Sequence, residues 1–380
     1  MRIVLTHPFC WPYVRRGTER GMDVLARYLV RAGHDVTTVS TRPGPSGVDT
    51  GEAGTRILHR PLTLPLMQAF RLQPNHTFFF TSLRTLTSLD ADVVHSFYPA
   101  DALAAICARR WRGHRTVLQM NGVAIPGVSC YRWLPPEGAM FREALRRADG
   151  RITCSRFVRD LLFEHYRVDC EIIPPPVCIE AYDVGNGPPD GRPTILAVAD
   201  FTVRRKGIRV LLDAFRLVQS ALPRARLQLS GRMPGALESE LLNGFPATVR
   251  ANIEVLGLGA VEDLPRLYRE ASVTVLPAMW EPSGTVLYES FASGTPVVAT
   301  DHGGIPEFVT PDTGVLFDPR TDGEETRNVR GLADAILEGL ALSANSETRA
   351  RCRAHATKYS WPVIGPQIER LYLGTELTHG

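Results

Sequence analysis

The sequence predicts an α/β protein made of two doubly wound parallel-sheet domains in tandem. Three observations predict it. Short β-branched runs alternate with stretches whose apolar residues recur at helical spacing, from residue 2 onward. That alternation breaks at a Pro- and Gly-rich segment over 172–193 and then restarts. The length of 380 residues exceeds one ordinary core and suits two domains of somewhat under ~200 residues each.

RIVLT (2–6) is the first strand. Behind it Met22, Leu25, Ala26, Leu29 and Val30 form one face of a helix that Gly33 stops. VTTVS (36–40) follows as a second strand, so the chain opens with a βαβ unit and a parallel sheet. ADVVHS (91–96), TVLQM (116–120) and RITC (151–154) are further strands with helical segments between them. The run IIPPPV (172–177) is extended because each proline restricts its predecessor, and GNGPPDGRP (185–193) is linker chemistry. The pattern then resumes with TILAVA (194–199), a helix around 208–220, RLQLSG (226–231), NIEVLG (252–257), SVTVLP (272–277), TPVVAT (295–300) and GVLF (314–317). In the last segment, 359–374, Trp361, Ile364, Ile368, Leu371 and Tyr372 form an apolar stripe expected to pack across both domains. The expected division is 1–180 for an N-terminal domain, 181–355 for a C-terminal domain, and 356–380 for a helix crossing back to the first.

A formal charge of +3 without a basic block points away from nucleic acid and toward a small or neutral partner. Lysine is scarce: Lys206 and Lys358 are the only two among 43 basic residues, so a lysine at a candidate site carries unusual information. The seven cysteines are scattered without a Cys-x-x-Cys pair and read as reduced thiols, mostly core. MRIVLTHPF reads as a first strand and not a signal peptide, and no run of ~18 apolar residues is present to span a membrane. A cytoplasmic protein is expected.

The densest chemistry lies in WEPSGTVLYESFASGTPVVATDHGGIPEFV (280–309). SVTVLP ends at Pro277, AMWEPSGT is a loop, and VLYESFAS is a helix. The amides of Ser283, Gly284, Thr285 and Val286 at that helix start are donors at the positive end of a dipole, an anion site. Glu281 stands before it and Glu289 about two turns inside the helix. Carboxylates repel phosphate, so their task is to accept hydrogen bonds from hydroxyls. A nucleotide sugar offers such hydroxyls on either side of its diphosphate. In tandem doubly wound domains the strand ends that bind ligands face each other across a cleft, and that architecture suits a nucleotide.

Glu281-x7-Glu289 followed by SGTPVVATDHGGIPEFV resembles the donor-site signature of family-4 retaining glycosyltransferases of the GT-B fold, and the likeness covers nearly the whole chain. The resemblance implies two Rossmann-like domains facing across a cleft, with Glu281 on donor-sugar hydroxyls, Glu289 on the ribose, and the turn amides on the diphosphate. ADFTVRRKGIRVLLDAF (199–215) is similar to the stretch in which an Arg and a Lys neutralise the diphosphate. Lys206-Gly207 matches, but Asp200 and Phe201 stand where the early Arg falls, which leaves Arg204 or Arg205 as the second cation. RRGTERGMDVL (15–25) resembles the Gly-Gly-x-Glu-Arg loop, with Arg16 in place of one glycine and Gly17 retained to approach phosphate. TVLQMNG (116–122) resembles the strand that ends in His-Gly in relatives. Here Asn121 replaces the His, so it can hydrogen-bond a sugar but cannot carry a proton.

The expected function is transfer of a hexose from a nucleotide-diphosphate sugar to a small natural-product, cell-envelope or lipid-linked acceptor, with retention. Glu281, Lys206 and Asn121 are the candidate catalytic residues. The implied scheme asks for no metal and no resident cofactor, because the nucleotide sugar is a co-substrate. A nucleotide-sugar 2-epimerase and a binding-only relative are the alternatives. An epimerase needs paired acids or bases near the sugar C2, and the sequence shows none. Asp90-Ala91-Asp92 reads as a surface lead into a buried strand, His95 as a core histidine, GLGAVED (257–263) as a weak partial glycine motif, and 58–80 as an acceptor loop or core.

Overall fold

The structure, a computed structural model, describes residues 1–63, 74–122, 125, 135–259, 261–320 and 328–374. Residues 64–73 of the 58–80 stretch, Ala260 of GLGAVED, and Cys130 lie outside the described residues. The chain forms two compact units, one of residues 1–175 with those from 364 on, the other of residues 176–363.

The first unit runs β1 (Arg2–Thr6), α1 (Gly17–Arg31), β2 (Asp35–Thr41), β3 (Gly47–Gly51), β4 (Gly54–His59), α2 (Pro74–Leu86), β5 (Val93–Ser96), α3 (Pro99–Arg112), β6 (Arg115–Met120), α4 (Pro135–Arg147), β7 (Gly150–Thr153), α5 (Arg156–Tyr166) and β8 (Glu171–Ile172). Its sheet has the order β3-β4-β2-β1-β5-β6-β7-β8, parallel throughout except for the β3–β4 hairpin at one edge. The sequence pattern did not announce that hairpin, for a physical reason. β3 has glycine at both ends and a mostly exposed middle, so it shows neither β-branched enrichment nor alternation. His95 is fully buried on β5, where its Nδ1 lies 2.7 Å from the Tyr372 hydroxyl, and burial pushes its imidazole down to about 3. It is a core histidine that stays neutral near pH 7.

The second unit runs β9 (Thr194–Val198), α6 (Ile208–Ala221), β10 (Arg226–Ser230), α7 (Gly235–Leu242), α8 (Ala247–Arg250), β11 (Ile253–Gly257), α9 (Leu264–Glu270), β12 (Val273–Leu276), α10 (Thr285–Ala292), β13 (Val297–Thr300), β14 (Gly314–Phe317), α11 (Val329–Ser343) and α12 (Thr348–Thr357). All its strand pairs are parallel, in the order β11-β10-β9-β12-β13-β14. Alternate strand residues feed two cores. Ile195, Val273, Val275 and Val298 pack with α6 and α11 on one face. Leu196, Leu276, Val297 and Ala299 pack with α9, α10 and α12 on the other. Strands buried on both faces are why this half reads as continuous apolar runs in the sequence.

The last helix, α13 (Trp361–Tyr372), buries the predicted stripe: Trp361, Ile364, Ile368, Leu371 and Tyr372 are all buried. Within the first unit, Tyr28 Oη donates to Glu369 Oε1 at 2.6 Å and Arg115 Nε to the Leu371 carbonyl at 3.1 Å. A Cβ on Gly365 would stand 2.1 Å from Tyr28 Cζ, so glycine there permits a close helix-to-helix approach.

Candidate functional site

In the second unit the strand order reverses between β9 and β12, and ligands of such sheets bind outside the carboxyl ends of strands at that switch point. The two loops leaving those ends meet there. The turn after β9, Arg204–Lys206, is a single 3-10 turn closed by Gly207 at φ 73°. A Cβ on Gly207 would lie 2.1 Å from the Pro277 carbonyl, so only glycine fits both the conformation and the space. The Met279 amide donates to the Arg205 carbonyl at 2.8 Å and joins the two loops by main chain.

This seam converges charge. Lys206 Nζ and Arg205 Nη1 both donate to Glu281 Oε2, at 2.6 and 2.8 Å. The Glu281 side chain is 12% exposed. Burial pushes its carboxyl up, but the Lys206 and Arg205 charges and their hydrogen bonds outweigh that and hold it below the usual carboxylate range. Oε1 makes no hydrogen bond among the described residues. The carboxylate is therefore ionised near neutral pH, charge-balanced on one oxygen and able to accept on the other. Arg204 is exposed and without an ion pair among the described residues, so the cation beside Lys206 is Arg205.

A third loop supports the site from behind. Gly303 (φ 70°) packs so closely that a Cβ would lie 2.6 Å from the Glu281 carbonyl, and the Gly304 amide donates to that carbonyl at 3.0 Å. His302 Nδ1 accepts from the Trp280 amide at 3.2 Å, and the two rings meet edge-on at 5.1 Å. These contacts hold Trp280 at φ 55°, a costly conformation for a bulky residue. The Gly-rich loop at 302–304 thus fixes the backbone that aims Glu281.

Gly284 (φ 75°) caps the start of α10, and no hydrogen bond from the amides of Ser283, Gly284, Thr285 or Val286 occurs among the described residues. These are the anion-site donors expected from sequence. Glu289 is the fifth residue of an eight-residue helix, little more than one turn in and not two, because the helix begins only at Thr285. Its carboxylate is buried, and Oε2 accepts from Tyr268 Oη at 2.8 Å. Tyr268 escaped the sequence reading because a tyrosine in LPRLYRE carries no distinguishing pattern, whereas His302-Gly303-Gly304 stands out as a Gly-rich loop that looks built to cradle phosphate, and here it braces the Glu281 backbone.

Gly17 and Asn121 belong to the other unit. Gly17 opens α1, and Asn121 Nδ2 donates to the neighbouring Thr18 Oγ1 at 3.3 Å, while Oδ1 accepts from Gln119 at 3.1 Å. The Asn121 amide thus ties the end of β6 to the start of α1. Arg16, the residue in place of a glycine, stacks 4.7 Å over Phe9 and pairs at 2.7 Å with the buried Glu19 in the first turn. Asp92 pairs with Arg2 and Asp90 with Arg112, so Asp90-Ala91-Asp92 serves the strand lead. No helix among the described residues is long and apolar enough to cross a membrane.

Comparison with known proteins agrees with this layout. The family described as Glycosyl transferases group 1 matches residues 192–341, and Glycosyltransferase Family 4 matches 15–181. The glycogen synthase of Mycobacterium tuberculosis is 27% identical over 99% of this chain and 95% of its own length. The mannosylfructose-phosphate synthase of Agrobacterium fabrum is 35% identical over 44% of this chain and 38% of its own. Among solved structures, the sucrose-phosphate synthase of Thermosynechococcus elongatus superposes with a TM-score of 0.81 at 22% identity, covering 98% of each chain. The Anabaena protein HepE, in complex with UDP and glucose, does so with a TM-score of 0.71 at 18% identity, over 98% of this chain and 99% of its own. At these identities the structural likeness establishes the fold, which is that of the GT-B glycosyltransferases.

Proposed function

As this chain belongs to the group 1, family-4 glycosyltransferases, we propose that it moves a hexose from a nucleoside-diphosphate sugar to an acceptor with retention of anomeric configuration, the donor lying in the second unit. The observation that carries this reading is the convergence of Lys206, Arg205 and Glu281 beside the free amides at the α10 start. Two cations and a helix N-terminus suit a diphosphate, and a carboxylate with one unengaged oxygen suits a sugar hydroxyl.

When the diphosphate binds, it competes with Glu281 for Lys206 and Arg205. Glu281 then serves as a hydrogen-bond acceptor for the transferred sugar, and no carboxylate of the site is assigned the part of a nucleophile. That favours same-face substitution. The bond from the anomeric carbon to the phosphate oxygen breaks, the bond to the acceptor oxygen forms on the same face, and the acceptor proton passes to the departing phosphate. Charge grows on the diphosphate as it leaves, and Lys206, Arg205 and the α10 amides stabilise it. The scheme asks for no metal ion. The acceptor, a small molecule or a lipid-linked one, falls to the first unit, and Asn121 of that unit can offer a sugar a hydrogen bond and no proton.

The two glutamates separate the parts of this reading. Glu289→Ala is expected to weaken binding of a free nucleoside diphosphate by about 1–3 kcal/mol, the cost of an orphaned buried hydrogen bond. Glu281→Gln is expected to abolish most turnover of the intact donor while leaving nucleoside-diphosphate affinity unchanged or tighter, since it releases two cations and its own partner is on the transferred sugar. Calorimetry with the nucleotide beside kinetics with the donor checks both. Wild-type nucleotide affinity in Glu289→Ala removes Glu289 from the ribose, and parallel losses in Glu281→Gln place Glu281 at the phosphates or in the fold.

A further inference from the structure

At the far end of α10 from the donor site, the second unit carries an open groove of about 520 Å³ between the 184–186 segment and α12. Val184, Asn186, Ser346, Arg349, Arg353 and Thr357 are among its lining residues, and none of the lining residues is acidic. The two arginines are one helical turn apart and share an unusual feature: their hydrogen-bond partners are neutral. Arg353 Nη1 donates to the Ile179, Tyr182 and Ala292 carbonyls at 3.1, 2.6 and 2.5 Å. Arg349 Nη2 donates to the Ala271 carbonyl at 2.9 Å, and its Nη1 reaches the Arg269 carbonyl and Thr295 Oγ1 at 3.5 and 3.3 Å. Neither forms an ion pair among the described residues. The nearby Glu347 is spent on Arg351, at 2.6 Å.

These bonds fix each guanidinium and leave a defined set of donors over. Arg353 Nε and Nη2, which form one edge of its fork, make no hydrogen bond among the described residues, and neither does Arg349 Nε. The side chains of Ser346 and Asn186 make none either. A rigid fork edge with no counter-charge, in a groove without a carboxylate, matches an oxyanion in two parallel bonds. With a second guanidinium and a hydroxyl beside it, the arrangement fits a tetrahedral anion that offers three oxygens better than a planar one that offers two.

We propose that this groove binds a phosphate group, free or as the monoester of a small metabolite, at a site separate from the donor site. The carbonyls that hold Arg353 come from the C-terminal end of α10 and from the segment that opens the second unit, so an occupant is joined through Arg353 to the same helix whose other end carries the donor amides.

The test is calorimetric titration of the full chain with inorganic phosphate, a sugar monophosphate and acetate at matched ionic strength. Arg353→Ala would also strip three carbonyls of their donor, so the informative variants are Ala350→Glu and Ala354→Glu, at exposed positions that line the groove and hold no main-chain contact of Arg353. Each places a carboxylate beside the fork. The expected result is phosphate or monoester binding that exceeds acetate binding, weakened about tenfold or more by either glutamate with an unchanged thermal midpoint, and retained in Lys206→Ala. The tighter of the two phosphate ligands identifies the source. Equal affinity in wild type and both glutamate variants overturns the proposal. So does loss of binding in Lys206→Ala alone, which would return the phosphate to the donor site, and so does binding no stronger than that of acetate.

Discussion

Lys206→Ala is expected to lower turnover roughly 10²–10³-fold, the scale of a lost electrostatic donor to developing charge, while donor affinity falls much less. Lys206 is at once a partner of Glu281 and one of two cations beside the α10 amides. Its removal leaves Arg205 to balance Glu281, so the carboxylate stays ionised and the fold of the loop is kept. What is lost is the cation free to follow the diphosphate as charge builds on it. Lys206→Arg is expected to restore only part of the rate, because a planar fork does not reproduce a compact ammonium at the same place. Steady-state kinetics with the donor, beside calorimetry with the free nucleotide, separates the two effects. Turnover within a few-fold of wild type would move the main charge on the leaving group to Arg205.

Gly207→Ala is expected to cost roughly 2–4 kcal/mol of stability and about 10²-fold in turnover. A left-handed backbone alone costs an alanine about 1–2 kcal/mol. Here the added Cβ would also lie 2.1 Å from the Pro277 carbonyl. Relief requires the 204–207 turn to swing away from the 277–281 loop, which breaks the Met279-to-Arg205 main-chain bond and carries both cations off Glu281. Gly244→Ala is the control, since a Cβ there meets nothing within 4 Å and no left-handed angle is required. Urea unfolding of the two variants checks the stability part. A Gly207→Ala protein as stable as Gly244→Ala would show that the two loops are not locked by this contact.

Much of this fold was written in local sequence, and the exceptions are instructive. The strands of the second unit are buried on both faces, so Ile195–Leu196 and Val297–Val298 had to be apolar whichever way they point, and the runs stand out. The β3–β4 hairpin forms an exposed edge whose residues are under no such demand, and it escaped notice. The site shows the same division. The α10 start and the spacing of Glu281 and Glu289 lie within one short segment and were legible. The choice between Arg204 and Arg205 was not. It depends on how the turn closed by Gly207 meets a loop some 75 residues further on, where Arg205 reaches Glu281 and Arg204 points to solvent. The binding of Glu281 to both cations, of Glu289 to Tyr268, and of Asn121 to Thr18 are likewise pairings between distant stretches, which no local pattern encodes.

The central claim is that the second unit holds a nucleoside diphosphate on Arg205, Lys206 and the α10 amides. Calorimetric titration with uridine, guanosine, adenosine and thymidine diphosphates, each beside its monophosphate, tests it most directly. At least one diphosphate is expected to bind well above its own monophosphate, since the second phosphate meets the paired cations, and this advantage is expected to shrink in Lys206→Ala and to weaken with added salt. Diphosphates that bind no better than monophosphates in the wild-type protein, or an advantage untouched by Lys206→Ala and Arg205→Ala together, would contradict it.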